Sequence, residues 1–284
     1  MRPTYKSGEE LLKEIQMTDM PFGSVAVWHL GQSGVIIKGG NQDGYIVIDP
    51  YLTFSIEERS PNTEFKRGFE PPLTPEQLTD ASGILITHSH DDHLDLETII
   101  PIAQHSSHTY FALPVPDVHV LEKKNISSKQ IIGAKAKEKF RIKGFEITPI
   151  SAAHTNYERD DNGNDRYLGF IIEVNGVTVF NCGDSVVTDE LISDIKSYRP
   201  HIAILPINGQ DYFRTSRWII GNMNYRDAVD FGVTIGADMI LPVHYDMFAN
   251  NRENPAYFVD YIFHQYPNQK FHMMVPGERF IYYK

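Results

Sequence analysis

The sequence predicts an α/β fold in which two β-sheets are covered by helices, in a single domain over residues 1–284. Short runs of β-branched and aromatic residues alternate with stretches of helical hydrophobic spacing along the whole chain. Within 168–181, two apolar runs flank Asn175-Gly176, a dipeptide typical of a two-residue hairpin turn. No Ser/Gly-rich linker, charge block or low-complexity tract interrupts the chain, so we expect both sheets to belong to one domain.

The first half opens with a helix and a β-rich region. Ser7 followed by Glu10 is a capping-box pattern, which predicts a helix over 9–17. Two β-rich runs, 25–28 and 35–38, flank a Gly-containing turn at 31–34. The other elements expected here are strands at 45–49, 84–87, 109–113 and 145–150 and a helix at 94–103.

The second half repeats the alternation of strand and helix. The charged stretch 157–165 predicts an exposed loop. The basic run 135–143, in which alternate residues are Lys or Arg, predicts the exposed face of a strand. The elements expected after the hairpin are strands at 202–205, 239–243, 272–275 and 280–283 and helices at 188–196, 225–236 and 255–265.

Composition and charge argue against several kinds of function. With 37 acidic and 26 basic side chains the formal charge is −11, whereas nucleic-acid binding depends on clustered Lys and Arg. The single cysteine, Cys182, cannot form an intrachain disulfide, and we interpret it as a small buried residue. No apolar run reaches the ~18 residues of a membrane span, and the first residues lack the apolar core of a signal peptide. We therefore expect a soluble cytoplasmic protein.

The segment that follows the apolar run 84–86 concentrates metal-binding chemistry. It contains His88, His90, Asp92 and His93. In an extended chain the first two imidazoles lie on the same side, and after a bend the later pair can face a second position. Imidazole and carboxylate groups bind Zn, Mn or Fe. The alternative without a metal is a polar cap, in which Asp91 or Asp92 caps the following helix and the imidazoles are solvated.

Three further residues of the same chemistry each follow a predicted strand. They are His154, Asp184 and His244. Any one of them alone would be typical of a surface loop. Together with 88–93 they place His and Asp at four strand ends, a pattern that favours a site for one or two divalent ions.

The order of these residues, preceded by Asp49, resembles that of the metallo-β-lactamase superfamily: an early Asp, then H-x-H-x-D-H, then His, Asp and His. The resemblance implies the four-layer αββα sandwich of that superfamily, with two mixed sheets flanked by helices. It also implies that Asp49 supports a ligand without binding metal itself. The ligands implied are His88, His90 and His154 for one metal, Asp92, His93 and His244 for the other, and Asp184 as a bridge.

Longer stretches are similar to the bacterial L-ascorbate-6-phosphate lactonases: 28–34 (WHLGQSG), 47–52 (VIDPYL), 205–224 (LPINGQDYFRTSRWIIGNMN) and 242–248 (PVHYDMF). This resemblance implies opening of L-ascorbate 6-phosphate to 3-keto-L-gulonate 6-phosphate, a step of ascorbate catabolism, with Mn²⁺ as the metal. In this hypothesis a metal-bound hydroxide attacks the lactone carbonyl. Its catalytic residues are Asp92, Asp184 and His244, with either aspartate orienting the hydroxide and accepting its proton.

A phosphorylated substrate needs local cations on an acidic chain. Arg214 and Arg217 are the predicted phosphate-binding residues, because a guanidinium group binds phosphate through paired hydrogen bonds. Asn222 and Asn224 are expected to add neutral donors, and Tyr245 to contact substrate beside the last histidine. The alternative is that both arginines are solvated surface residues.

Two rival functions fit the same metal-binding residues. One is a phosphodiesterase or ribonuclease, in which two metals stabilise a displacement at phosphorus, although the acidic charge counts against polynucleotide substrates. The other is a metal-binding protein without catalysis. The aromatic residues within 257–263 are expected to serve core packing or a contact in a homo-oligomer.

Overall fold

A computed structural model describes residues 4–284 of the chain. The first six strands and the last strand form one mixed sheet. The order of its strands is β14-β1-β2-β3-β4-β5-β6; the pairs from β14 to β3 are antiparallel and those from β3 to β6 are parallel. These strands are β1 (Ser24–Gly31), β2 (Gly34–Lys38), β3 (Tyr45–Ile48), β4 (Gly83–Leu85), β5 (Tyr110–Pro114), β6 (Ile131–Ala134) and β14 (Arg279–Tyr283).

A second mixed sheet takes the remaining strands, in the order β13-β12-β11-β10-β9-β8-β7. The pairs from β7 to β10 are antiparallel, and those from β10 to β13 are parallel. Its strands are β7 (Phe140–Ile142), β8 (Phe145–Ser151), β9 (Leu168–Val174), β10 (Val177–Asn181), β11 (Ile202–Pro206), β12 (Met239–Val243) and β13 (Lys270–Phe271).

Eight α-helices are described within residues 4–284, and none of these is long and apolar enough to cross a membrane. Short 3₁₀ turns occur at Asn41–Asp43, Pro75–Leu78 and Val115–Asp117. The helices are α1 (Gly8–Met17), α2 (Ser55–Arg59), α3 (Leu96–His105), α4 (Val118–Glu122), α5 (Asp189–Lys196), α6 (Tyr212–Thr215), α7 (Tyr225–Thr234) and α8 (Pro255–Gln265).

Alternating side chains of the strands build the layers. In β1, Val25 and Val27 belong to the core between the two sheets, whereas Ala26 and Trp28 belong to the core between the first sheet and its helices. This follows from the two-residue period of a strand. A third apolar core joins the second sheet to α5, α7 and α8. The result is a helix–sheet–sheet–helix sandwich, as the sequence predicts.

Most predicted elements are confirmed within a few residues of their bounds. The hairpin turn lies at Asn175-Gly176, and both residues have positive φ (+52° and +78°), as a turn that fits the strand twist requires. Ser7 occupies the N-cap of α1, but its side chain makes no capping hydrogen bond. The first helix is attached to the sheet instead through Glu14, which accepts a hydrogen bond from Trp28 Nε1 at 3.0 Å.

Two expectations for β-structure are wrong. The strand predicted at 272–275 is absent, because pairing ends at Phe271 and the His272 side chain turns to Glu278 (2.7 Å). The basic run 135–143 is not one strand, since only 140–142 is extended in β7 and Lys137 has a φ of +66°. The run is nevertheless on the surface, where Arg141 pairs with Glu146 at 2.7 Å.

Candidate metal centre

The loop after β4 is folded into a compact turn by its own backbone. The N–H groups of His93 and Leu94 donate to the carbonyl of His90 at 2.9 and 2.8 Å. Neither aspartate of the predicted polar cap starts the next helix; Asp95 does, accepting from the N–H of Glu97 at 3.2 Å. A polar cap formed by Asp91 or Asp92 therefore does not explain why three histidines lie in this turn.

The structure brings together all seven predicted ligands. Their donor atoms form three groups in which every atom lies within 4.8 Å of the others. They follow the carboxyl ends of β4, β8, β10 and β12, which meet at one edge of the sandwich. The groups are His88, His90 and His154; His88, His93 and Asp184; and Asp92, His93 and His244.

Asp184 lies between the two predicted metal positions. Its Oδ2 atom is 3.7 Å from Nε2 of His154 on one side, and 3.5 and 3.1 Å from Nε2 of His93 and His244 on the other. A carboxylate in this position can be shared by the two predicted ligand sets, one with His154 and the other with His93 and His244. This is the placement expected of a bridging ligand.

Asp49 orients the imidazole of His93 by accepting a hydrogen bond from its Nδ1 atom. Its carboxylate accepts hydrogen bonds from the N–H and the hydroxyl of Thr87 (2.8 and 2.7 Å) and from Nδ1 of His93 (2.8 Å). Because Nδ1 is engaged by Asp49, the other ring nitrogen of His93 faces the centre and is free to bind a metal.

Burial and mutual charge set the protonation of the cluster. Burial lowers the pKa of His88 well below its ordinary value, and His93 and His90 lower it further. Burial alone would raise the pKa of Asp184, but the imidazoles of His244 and His93 hold it well below its usual range. Burial would lower the pKa of His93 and His244, but Asp184 and Asp92 raise it. Since metal ions bind the neutral imidazole, a metal ion at these two residues would displace their protons.

Three polar atoms of the cluster are buried without a hydrogen-bond partner among residues 4–284. They are Nε2 of His93, Nδ1 of His154 and Oδ1 of Asp184. Leaving such groups unpaired inside a protein is costly unless another species satisfies them. The donor set and these unpaired atoms therefore fit one or two divalent cations.

Gln32 is a member of the centre that the sequence reasoning missed. Its Nε2 atom lies 2.8 Å from Oδ2 of Asp92 and 3.1 Å from Nε2 of His244. The turn that carries it is fixed by Asp246, whose carboxylate accepts from the N–H of Gln32 (3.1 Å) and contacts Nε2 of His29 (3.2 Å). The stretch 31–34, which begins and ends with Gly, predicts only a turn and does not indicate that Gln32 contacts the metal-binding residues.

A cavity of about 240 Å³ opens above the metal-binding residues. Its floor includes His90, Asp92, His154, Asp184 and His244, and Asn251 adds a neutral polar group. No Lys or Arg side chain lines it within residues 4–284. Trp218 stands at its mouth with 92% of its surface exposed. The other walls are formed mainly by the apolar side chains of Ile56, Phe65, Ile219, Ile220 and Phe248.

The five predicted substrate-binding residues do not line this cavity. Arg214 is buried, where it pairs with Asp211 and donates to the carbonyl of Arg252 at 2.8 Å. Arg217 stacks on the ring of Phe213, 3.9 Å from its centroid. Both guanidinium groups therefore have partners within the protein, and neither residue lines the cavity.

The remaining predicted contacts are also structural. Asn222 is buried and donates to Oδ1 of Asn208 at 3.1 Å. Asn224 caps α7. The hydroxyl of Tyr245 donates to the carbonyl of Met274 at 3.0 Å. Each of these side chains therefore has a partner within the protein and lies outside the cavity lining.

The thiol of Cys182 is fully buried, and burial raises its pKa. Its neighbours in the apolar core include Phe180 and Leu191. A buried thiol that resists ionisation is a poor nucleophile. The residue therefore has the small, buried role expected from the sequence.

Comparison with known proteins agrees with the fold and with a metal-dependent hydrolase. Residues 45–245 match the family model of the β-lactamase superfamily domain. This match covers most of the chain, and the chain belongs to the metallo-β-lactamase superfamily as one of its metal-dependent hydrolases.

Individual relatives are distant. A UPF0173-family metal-dependent hydrolase of Caldivirga maquilingensis is 25% identical and covers 82% of this chain and 88% of its own length. A probable L-ascorbate-6-phosphate lactonase of Escherichia coli is 21% identical over 87% of this chain and 77% of its own. The solved structure of a metallo-hydrolase of Ignicoccus hospitalis, 22% identical, superposes with a TM-score of 0.66 over 92% of this chain and 99% of its own.

Proposed function

We propose that this protein is a metal-dependent lactonase whose substrate is an uncharged lactone with an apolar substituent. The observation that carries the proposal is the cavity, which sets a floor of His and Asp donors against apolar and aromatic walls. Such a cavity suits a small molecule with one polar, reactive end. The similarity to a probable lactonase supports the type of bond that is hydrolysed.

The reaction adds water across the ester bond, so that the carbonyl carbon gains a hydroxyl group and the ring oxygen leaves as an alcohol. A divalent cation supplies an acidified water and polarises the carbonyl when it is bound. Asp92 and Asp184 are the proposed proton acceptors, because both carboxylates border the cavity and are surrounded by imidazoles. Mn²⁺ is the proposed metal, on the resemblance to the lactonases.

No Lys or Arg among residues 4–284 lines the cavity, which argues against a phosphorylated substrate. The two arginines expected to hold phosphate are engaged elsewhere, Arg214 by Asp211 and Arg217 by the Phe213 ring. L-ascorbate 6-phosphate, suggested by the relative from Escherichia coli, therefore enters the test as the competing substrate. An apolar substituent instead gains contact with the walls around Trp218 and Phe248.

The test is a hydrolysis panel on protein analysed for bound metals and loaded with Mn²⁺, Zn²⁺ or Fe²⁺. γ-Decanolactone, L-ascorbate 6-phosphate and bis-p-nitrophenyl phosphate are compared by their kcat/KM. We expect the unphosphorylated lactone to be the best substrate, and chelation to abolish its turnover. A preference for the phosphorylated lactone would contradict the substrate class, and cleavage of the phosphodiester alone would contradict lactonase activity.

A further inference from the structure

Asn251 is a buried amide on the cavity wall. It is 6% exposed and lies among the lining residues, although its position in the sequence suggested no role. Its Oδ1 atom accepts two hydrogen bonds, from Nε of Arg214 at 3.2 Å and from Nδ2 of Asn208 at 3.0 Å. The side chain is therefore held at its oxygen end by two separate donors.

The guanidinium fixes which end of the amide faces which way. A guanidinium group only donates, so the atom of Asn251 that faces Arg214 must be the carbonyl oxygen. The same oxygen then requires Asn208 to present its NH₂ group. Consequently the oxygen of Asn208 faces Asn222, which must donate in turn, as it does at 3.1 Å. One charged donor thus orients three buried amides.

The three amides form a relay from Asn251 through Asn208 to Asn222. This relay leaves one polar atom unpaired at its far end. Oδ1 of Asn222 is buried and has no hydrogen-bond partner among residues 4–284. At the near end, the NH₂ group of Asn251 is directed away from Arg214 and has no acceptor in the described part of the chain. The relay therefore leaves a fixed N–H donor for the cavity that Asn251 lines.

We propose that Asn251 binds the substrate by donating its amide N–H to a substrate oxygen, and that Arg214 is a positioning residue that holds this orientation. The inference rests on the proposed function, because it names a contact of the same substrate. It gives Arg214, predicted from the sequence to bind phosphate, an indirect role. Arg214 is suited to it because Asp211 and the carbonyl of Arg252 hold the rest of its guanidinium group.

Asn251→Asp is the sharpest variant, since it keeps an acceptor for Arg214 and Asn208 and replaces only the NH₂ donor. We expect kcat/KM for γ-decanolactone to fall about tenfold or more, mainly through KM. A second variant, Asn251→Ala, removes the donor without adding charge, and we expect it to lower kcat/KM as well. The matched control is Asn254→Asp, at the exposed N-cap of α8, where an aspartate also caps the helix. Its kcat/KM should stay within about twofold of the wild-type value.

Binding provides a readout that is independent of turnover. The γ-lactam that corresponds to γ-decanolactone is neutral and resists hydrolysis, so calorimetry can measure its Kd. We expect both Asn251 variants to raise this Kd about tenfold or more, while thermal unfolding shows them to be folded. If the folded variants hydrolyse the lactone and bind the lactam like wild type, the inference is overturned.

The positioning role of Arg214 is tested by a double-mutant cycle. Arg214→Met should raise the lactam Kd in the wild-type background and have little further effect in Asn251→Ala, because its influence passes through that amide. An equal effect in both backgrounds would overturn the positioning role. A wild-type protein that hydrolyses no lactone would instead overturn the proposed function, and with it this inference; an active wild type with unaffected Asn251 variants would overturn the inference alone.

Discussion

Nδ1 of His93 donates a hydrogen bond to Oδ2 of Asp49 over 2.8 Å, and neither side chain has any solvent exposure. Asp49 directly follows β3, and His93 lies in the turn after the neighbouring parallel strand β4, so the sheet and the turn together set their separation. Thr87 binds the same carboxylate through its N–H and its hydroxyl group, and so fixes the carboxylate in turn.

Asp49→Asn should weaken metal binding without removing a ligand. Asn lacks the charge that holds the His93 ring, so we expect metal affinity to fall by about 10- to 100-fold. Competition with a chelator measures this directly. Asp80→Asn changes an exposed carboxylate in the same way and should leave affinity unchanged; equal affinities for wild type and Asp49→Asn would contradict the orienting role.

His88→Ala and Asp92→Ala should each abolish lactone turnover, since His88 is a donor in two of the three groups and Asp92 in one. Rates are measured on folded, metal-incubated protein, with bound metal counted by elemental analysis. His105→Ala, at an exposed histidine near the end of α3, is the control. Near wild-type turnover in either variant, with metal chelated, would rule out the metal-dependent mechanism.

Gln32→Leu should reduce kcat by about tenfold, because Asp92 loses its 2.8 Å hydrogen bond while the side-chain volume stays similar. Steady-state kinetics on a lactone measures the loss. Gln42→Leu, at an exposed glutamine, serves as the control. An unchanged kcat would mean that the contact between Gln32 and Asp92 does not matter for the reaction.

Trp218→Ala should raise KM for lactones with long alkyl substituents by about five- to tenfold, since the lost ring removes roughly 1 kcal/mol of apolar contact. The melting temperature should hardly change, because the ring is 92% exposed in the free protein. Tyr212→Ala removes a similarly exposed ring that does not line the cavity. Identical KM changes in the two variants would deny Trp218 a specific role.

Glu14 makes stability depend on pH. Burial opposes its ionisation, but hydrogen bonds from Lys6 and Trp28 hold its pKa below the ordinary value of 4.5. Because the folded-state pKa is lowered, its contribution to stability is present above pH 4.5 and is lost as the pH falls through the folded-state pKa. We expect Glu14→Gln to be less stable than wild type at pH 7, by about 1 kcal/mol or less.

Denaturant unfolding of Glu14→Gln and wild type at pH 7 and at decreasing pH checks this dependence. The difference in unfolding free energy should shrink on acidification. Glu10→Gln, an exposed change in the same helix, should show no such trend. A difference that grows towards acidic pH would contradict the assignment.

The sequence was most informative where the chemistry is local. His88, His90, Asp92 and His93 lie within six residues, and metal binding needs those residue types whatever surrounds them. The Asn175-Gly176 turn was equally predictable, since its positive φ angles depend on the two residues themselves.

What could not be predicted depends on partners distant in the chain. Arg214 has the residue type of a phosphate ligand, but its Nε atom is bound by Asn251, 37 residues away. Gln32 contacts Asp92 across 60 residues, which no local pattern encodes. The apolar cavity walls come from α2 and from loops that are far apart in the sequence, so their convergence is a property of the fold alone.

The pairing of β14 with β1 has a consequence for how the protein is made. Ser24 lies opposite Tyr283, so the outer edge of β1 has no partner until residues 279–283 have left the ribosome. During that interval β1 presents unpaired backbone groups and an apolar surface, the features that recruit foreign strands. The nascent chain is therefore vulnerable to aggregation until 279–283 have emerged, and substitutions in 279–283 should lower the yield of folded protein more than they lower the activity of the molecules that fold.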